Sequence, residues 1–457
     1  MNRKSFDKNN GATLVVVMMV VFLCSAAVTC ILFATGVRVQ RSYNLVWTEQ
    51  AFYLAEAGIE RAAAWGQNNF GMGTETVLEG DLGDGSYVAH VTLSEGSNDS
   101  YDIYATGTVR NVNRGITVRG MQFASWSQFA LWYDKESPSG LWIIPGEVFD
   151  GKFYSRPLMK FSSTGLGALD SNGRVRGPAH FTDTVETHQN YIEYQSGAYP
   201  ILDKGISTGV PIQSMADVDF GKMLQTASSL ESSGKGLVLE GNMTIELDGK
   251  IMKITSTDKT NREQAGNVYS RSITNHTLNI VYVKPYSYTY YYKTSSGYWR
   301  ARNVTELGDI TLLAPDGFSG DMSLVANHDI RISDHVRYSD NPEENPDSED
   351  KLGLIAQNNV VVQSTPTLAP NNLEIYAHIF CKKGGFGVER YDSGPFRGDL
   401  KVYGGIANDI RRAVGTFSSY SRTGYNKTYF FDKRFRTKRP MHYPYKKTAM
   451  TFDAWEG

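Results

Sequence analysis

The sequence predicts an α+β protein: a long N-terminal transmembrane and amphipathic helix, a small antiparallel β-meander, and a large mostly-β domain expected to be a β-solenoid. Three observations predict it. Ala12 to Val37 is a run of 26 residues without a charged side chain. Apolar positions then continue at helical spacing well past that run. Beyond about residue 66 the chain changes to short β-branched and aromatic segments separated by turn residues, in a composition holding 44 Gly and 27 Tyr.

The apolar run exceeds the roughly 20 residues that span a bilayer core. Arg3, Lys4 and Lys8 precede it, and Arg38 and Arg41 follow it. A short basic leader stays on the cytoplasmic side, which turns the C-terminal bulk outward. A secretory signal peptide would have an apolar stretch of only about 7–15 residues before a small-residue cleavage site. A plain membrane anchor fits the run as well and stays open.

No Pro or Gly interrupts the chain between Arg38 and Gly58, and Leu45, Phe52, Ala55, Ile59 and Ala62 keep one helical face. One helix is therefore expected from about Ala12 to about Trp65, ~80 Å long at 1.5 Å per residue. That is far more than a membrane needs. The outer half is amphipathic, so a β-domain or a neighbouring subunit has to cover it.

The basic leader ending in Gly11, followed by Ala12-Thr13-Leu14-Val15-Val16, resembles the class III signal of type IV prepilins. The stretch Gln50-Ala51-Phe52-Tyr53-Leu54-Ala55-Glu56-Ala57-Gly58-Ile59-Glu60 resembles the signature of PilX-type minor pilins. Together these motifs cover about residues 1 to 65. The resemblance implies a leader at 1–11, cleavage by the prepilin peptidase after Gly11 and methylation of Ala12. It also implies partners: other pilin or pseudopilin subunits through the helix, and the inner membrane. One departure matters. Major pilins have Glu at the fifth mature position, and counting from Ala12 that position is Val16. In a filament the carboxylate neutralises a neighbour's charged N-terminus in an apolar bundle, where an unpaired charge is costly. The Val favours a minor, tip or initiating role over a repeating one.

With 457 residues the chain is long enough for two or three folded units. A net charge of -2 gives no global argument for nucleic acid. Of three cysteines, Cys24 and Cys30 lie in the apolar run, which leaves only Cys381; the outer part is not a disulfide scaffold. Residues 66–75 read as loop. Strands are expected over Ser86–Leu93, Tyr101–Arg110 and Gly115–Phe123, with a turn at Glu95–Asp99 and a short helix over Trp126–Tyr133, giving a pilin-like meander over 66–135.

The larger region spans 140–457. Strands are expected at Trp142–Val148, Val175–Val185, Leu237–Leu247 and Leu278–Lys284, and a helix over Met215–Leu230. From 308 a loose repeat is legible: Ser323–Ile332, Gly353–Val362, Glu374–Ile379 and Lys401–Ile406 share apolar alternation and a small residue, with starts 21 to 30 residues apart. Small residues at a repeated step suit stacked turns; a β-sandwich with similar strands is the alternative. The region also resembles an uncharacterised domain attached to PilX-like N-termini, on Gly177-Pro178-Ala179-His180-Phe181, Leu352-Gly353-Leu354-Ile355-Ala356 and Tyr429-Phe430-Phe431-Asp432. That resemblance implies architecture and no activity.

Searched for chemistry, the sequence shows no HExxH, no CxxC pair, no Walker loop and no GxSxG, so no enzyme, cofactor or metal is expected. His328 and His335 flank Asp329 and Asp334, a pattern that solvent-facing polar residues at strand corners also give. Asp340–Asp350 is acidic, but lacks the Gly and final Glu spacing of a calcium loop and reads as a solvated or disordered loop. Two stretches stand as a candidate ligand surface. One is aromatic, Tyr286–Tyr292 with Tyr298 and Trp299: its Tyr288, Tyr290, Tyr292 and Trp299 suit sugar stacking, although strand core and cross-strand pairing is the favoured reading. The other is basic and aromatic: Arg434, Arg436, Lys438 and Arg439 within Lys433–Lys447, which suit DNA or another polyanion, although a solvated tail packed across the end of the domain is the favoured reading.

The leading function is a minor pilin or pseudopilin-like envelope protein, an assembly, tip or display component of a type IV pilus or type II secretion-like system. The alternative is a membrane-anchored adhesin or polysaccharide-binding surface protein, with glycan or DNA as partner. A third, an anchored polysaccharide-acting enzyme, would need carboxylates clustered on adjacent turns, which the sequence does not reveal.

Overall fold

The computed structural model describes residues 9–69, 74–95, 100–136, 140–163, 177–213, 215, 218–275, 277–365, 368–417, 421–436 and 438–457. Most of the expected leader, part of the 66–75 loop, the Glu95–Asp99 turn beyond its first residue and the start of the Val175 strand lie outside these residues. The chain divides into two compact units. One holds the chain up to Gln122 together with Thr451–Gly457, and the other is Phe123–Met450. The sequence reading put this division near 135–140 and left the C-terminus in the larger unit. Backbone pairing of the last strand, Ala454–Glu456, with Thr117–Arg119 returns it to the first.

In the first unit one helix, α1, runs from Asn9 to Asn69 without a break. Four antiparallel strands follow: β1 (Thr76–Leu82), β2 (Gly85–Leu93), β3 (Tyr101–Val109) and β4 (Val112–Ser125). The sheet is covered by the C-terminal part of α1, through Ala51, Leu54, Ala55, Gly58, Ile59 and Ala62, all buried. Phe52, expected on that face, is only half-buried; the face is centred on smaller residues. The reason is close approach. A Cβ on Gly107 of β3 would lie 2.0 Å from the Ala51 carbonyl oxygen, and one on Gly58 would lie 3.1 Å from the Ala105 Cβ. Helix and sheet touch through Gly and Ala, and a Phe ring has no room between them.

The second unit is dominated by parallel pairing. One ladder stacks Leu237, Val281, Leu324, Leu354, Ile379, Ile406, Leu131, Phe153, Val185 and Ile206 in register. A second stacks Ile245, Leu312, Ile332, Val362 and Val388. A third stacks Val336, Ile375, Val402, Tyr429, Phe149, Phe181 and Leu202. These side chains form one continuous core. Because strand side chains alternate, the next residue along the first ladder faces the other way: Val238, Tyr282, Val325, Ile355, Phe380, Ala407, Trp132 and Tyr154 make a second apolar layer. Met215, Val218 and helix α2 (Phe220–Leu230) cover part of it, and Tyr443 another part. Asp219 caps α2 by accepting from the Gly221 and Lys222 backbones.

Spatial order differs from chain order. The unit's first strand, β5 (Phe129–Glu136), lies between Phe396–Arg411 on one side and Lys152–Ser155 on the other. The expected helix over Trp126–Tyr133 is therefore corrected. Trp126–Gln128 is a single 3-10 turn, and from Phe129 the chain is a strand whose Leu131 and Tyr133 enter the core while Trp132 enters the outer layer. The expected helix over Met215–Leu230 is confined to α2. Ser323–Ala326 pairs with Gly353–Ala356, and Glu374–Ile379 with Lys401–Ile406, as the repeat aligns them. The alignment of Gly353 with Glu374 does not hold: Gly353 pairs with His378. Leu373–Cys381 is one long strand that serves two ladders, so its apolar alternation starts early.

Candidate functional site

The first candidate surface is the apolar half of α1. Its side chains from Ala12 onward are exposed, Phe22 at 72% and Phe33 at 75%. It is the one helix among the described residues long and apolar enough to cross a membrane. Its hydroxyls are satisfied within the helix: Ser25 Oγ donates to Phe22 O (2.8 Å), Thr29 Oγ1 to Ser25 O (2.8 Å) and Thr35 Oγ1 to Ile31 O (2.7 Å). These three hydroxyls need no partner that lipid cannot supply. Gly11 and Ala12 lie in the first turns of α1, and Ala12 is exposed. Val16 is exposed, and α1 carries no acidic residue before Glu49.

The second is a hairpin of Tyr286–Lys293 and Trp299–Glu306, a two-stranded sheet of its own. Alternation sorts its aromatics onto two faces. Tyr286, Tyr288, Tyr290 and Tyr292 form one stripe with ring centroids 5.8, 6.4 and 6.1 Å apart. Tyr288 and Tyr290 are buried in it, as strand core rather than open ligand surface; Tyr292 is at its open end. The Arg262 guanidinium lies 4.6 Å from the Tyr286 ring centre and 5.3 Å from that of Tyr288. Arg262 also grips Glu306 twice, Nε–Oε1 at 3.1 Å and Nη2–Oε2 at 2.6 Å, with both side chains buried. Burial, with Glu306 nearby, pushes the Tyr288 hydroxyl up to about 12. The opposite face carries Tyr291 (64% exposed) and Trp299 (69%), and Tyr298 (74%) sits at the turn. The sequence reading took the whole stretch together and did not sort its faces, although two-residue alternation within Tyr286–Lys293 is enough to place Tyr291 opposite Tyr290.

The basic segment is not one surface. Arg434 is clamped to Asp432 (Nη2–Oδ2 2.6 Å), and donates to Ser348 O and to Asp350 O (3.0 Å). It thereby pins the end of the acidic loop, whose other contacts include Tyr376 Oη to Glu343 Oε2 (2.5 Å) and the Asp340 backbone to Asp350 Oδ2 (3.0 Å). That loop is held at both ends rather than disordered. Arg436 pairs with Asp183 at 2.9 Å. Arg439 is buried under the Tyr445 ring, 4.6 Å from its centre. Lys438 alone of the four is exposed without a described side-chain contact.

His328 meets Asp309 (2.7 Å) and Asp329 (3.5 Å), three groups close enough to share a cation. One cationic side chain already sits among these acids. Arg331 lies 3.8 and 3.7 Å from the two carboxylates and 2.5 Å from Glu389. The Oδ1 atoms also accept backbone N–H groups of the adjacent turn: Asn242 from Asp309 (2.9 Å), Asp309 from Asp329 (3.1 Å), Asp329 from Asn359 (2.9 Å) and Asn359 from Gly385 (3.1 Å). The chemistry is a ladder of capped corners. His335 is apart from it; its Nδ1 accepts from the Glu374 backbone (3.1 Å), and burial beside Arg337 lowers its pKa.

No protein-family model matches the chain, and no curated protein matches it. Among solved structures it is similar to the competence-associated pilin ComZ from Thermus thermophilus, at 12% identity and a TM-score of 0.27, over 90% of this chain and 97% of that one. A superposition that loose fixes neither the fold nor the role of this chain.

Proposed function

We propose that this chain is a minor type IV pilin-like or pseudopilin-like envelope subunit, anchored in the inner membrane by α1 and displaying a β-solenoid head on the outer side. The observation that carries the reading is the single helix: 61 residues, apolar and uncovered at one end, packed on an antiparallel sheet at the other. A plain anchor has no need of a rod about 90 Å long. The PilX-like signature, Gln50–Glu60, lies on that rod, where the helix meets the sheet. The three parallel ladders support the solenoid reading, since strands one turn apart in space pair in register over most of the second unit. The acids that do converge, Asp309, Asp329 and Glu389, surround Arg331.

The partners under this reading are the prepilin peptidase, acting between Gly11 and Ala12, and other pilin subunits along Ala12–Val37. Val16 in place of a carboxylate favours a tip or initiating position. The mature N-terminus tests it. Sequencing of the membrane-extracted protein is expected to begin at a methylated Ala12. A start at Met1, or beyond Gly36, would overturn the subunit reading.

A second reading, an anchored glycan-binding adhesin, is favoured by one observation: Tyr291, Tyr298 and Trp299 are exposed together on a hairpin whose base is fixed by the Arg262–Glu306 pair. Isothermal titration with cell-wall oligosaccharides distinguishes it, since a pure assembly subunit binds none.

A further inference from the structure

Lys446 lies on the strand Tyr445–Thr451, and Gln213 lies in the connector that leads from the strand Ile206–Thr208 to α2. Their side chains meet, Nζ to Oε1 at 2.5 Å. The same carboxamide donates its Nε2 to Glu186 Oε2 at 3.5 Å. Lys446 Nζ also stands over one indole and one phenyl face, 4.3 Å from the Trp126 ring centre and 5.3 Å from that of Phe129. The carboxamide is held from its backbone side, where Gln213 N donates to Tyr154 Oη (3.2 Å) and Val210 N to Thr187 O (3.1 Å). An amine, a carboxamide and a carboxylate thus converge in a half-buried, aromatic-walled site.

We propose that Lys446 and Gln213 become joined by an intramolecular isopeptide bond, with Glu186 as the proton carrier. In the reaction Nζ, as a free amine, attacks Cδ of Gln213 and forms the N–C bond. The Cδ–Nε2 bond breaks, and Nε2 leaves as ammonia. Glu186 accepts the proton lost from the amine and delivers it to Nε2. Overall an ammonium group and a carboxamide give a secondary amide and an ammonium ion, so no oxidant or co-reactant is needed.

Two features favour reaction over a resting hydrogen bond. Burial lowers the Lys446 pKa to about 8, with Lys152 adding to the effect and Glu186 opposing it, so a nucleophilic fraction is present near neutrality. The amine and the carboxamide are also held within one hydrogen bond of each other by the fold rather than by encounter, which is where effective concentration is largest. The bond would tie the connector that crosses the outer apolar layer to the C-terminal strand of the same unit.

The test is the intact mass of the full chain purified in detergent, with peptide mapping. The wild type is expected to be lighter by one ammonia and to yield a branched peptide joining the Gln213 and Lys446 segments. Lys446→Arg keeps the positive charge over Trp126 and is expected to show the full mass with linear peptides only. Glu186→Gln is expected to show the full mass while retaining the wild-type circular dichroism. Wild-type protein of full mass, with both segments recovered as linear peptides, would overturn the bond. Full cross-linking in Glu186→Gln would overturn the role given to Glu186.

Discussion

Tyr443 Oη meets Nδ1 of the wholly buried His378 at 2.5 Å, a contact that seats the C-terminal segment against the imidazole. Nε2 lies 3.2 Å from Phe129 O; a carbonyl oxygen only accepts, so Nε2 carries the proton and Nδ1 accepts from the Tyr443 hydroxyl. Gly405 makes the room, since a Cβ there would lie 2.6 Å from His378 Nε2.

The neutral imidazole sets a pH dependence. Burial lowers the His378 pKa from 6.5 to about 3, so above pH 6.5 neither folded nor unfolded chain is protonated there. Below 6.5 only the unfolded chain takes the proton. Stability is therefore present above 6.5 and is lost as pH falls toward 3, at about 1.4 kcal/mol per pH unit. Urea midpoints measured across that range should fall, and His378→Gln, which has no titrating ring, should flatten the slope by about one proton.

The corner ladder yields a second expectation. Asp329 Oδ1 accepts from the Asn359 backbone and from the Asn358 and Asn359 amides, at 2.9, 2.9 and 3.1 Å. Asp329→Ala removes all three and leaves Arg331 with fewer counter-charges, a loss of about 2–4 kcal/mol. Asp329→Asn keeps an acceptor at Oδ1 and should cost clearly less. Equal denaturation midpoints for the alanine variant and the wild type would show that the ladder is incidental.

Helix α1 was legible because its signals are local: an uncharged run, then a stripe with a 3.6-residue period and no Gly or Pro before Gly58. The pairing of Ser323–Ala326 with Gly353–Ala356 was legible because stacked strands repeat the same inward and outward requirement. What failed was non-local. Nothing near Phe129 in sequence indicates that it is to lie between Phe396–Arg411 and Lys152–Ser155, so Trp126–Tyr133 was read from its neighbours as a helix. Arg434 and Arg439 looked like a solvated basic run because their partners, Asp350 and Tyr445 among them, are set by the fold. The Asx ladder was hidden for the same reason, as Asn242 and Asp309 are far apart in the chain.

Close packing at Gly107 makes a third expectation. A methyl there would meet the Ala51 carbonyl at 2.0 Å, and that atom is backbone, which cannot rotate away. Gly107→Ala should lift α1 from the sheet at a cost of at least about 2 kcal/mol. Gly36, with nothing within 4 Å of a Cβ, is the control. Gly36→Ala should be neutral or stabilise the helix by about 1 kcal/mol. Limited proteolysis between α1 and β1 reads the difference, faster for Gly107→Ala and unchanged for Gly36→Ala.

The hairpin separates display from support. Tyr290 is buried in the supporting stripe, whereas Tyr291 and Trp299 face outward from a base held by Arg262 and Glu306. If the outward face binds sugars, Tyr291→Ala and Trp299→Ala should each weaken oligosaccharide binding by about 1–2 kcal/mol, the value of one lost aromatic contact, with the thermal midpoint unchanged. Tyr290→Ala opens a cavity next to Tyr288 and should lower the midpoint, weakening binding only through the fold. Arg262→Ala strands the Glu306 carboxylate in a buried site and should lower the midpoint most. Binding that fell equally in Tyr290→Ala and Tyr291→Ala at unchanged stability would reject the two-faced division, because the two faces would then be doing the same work.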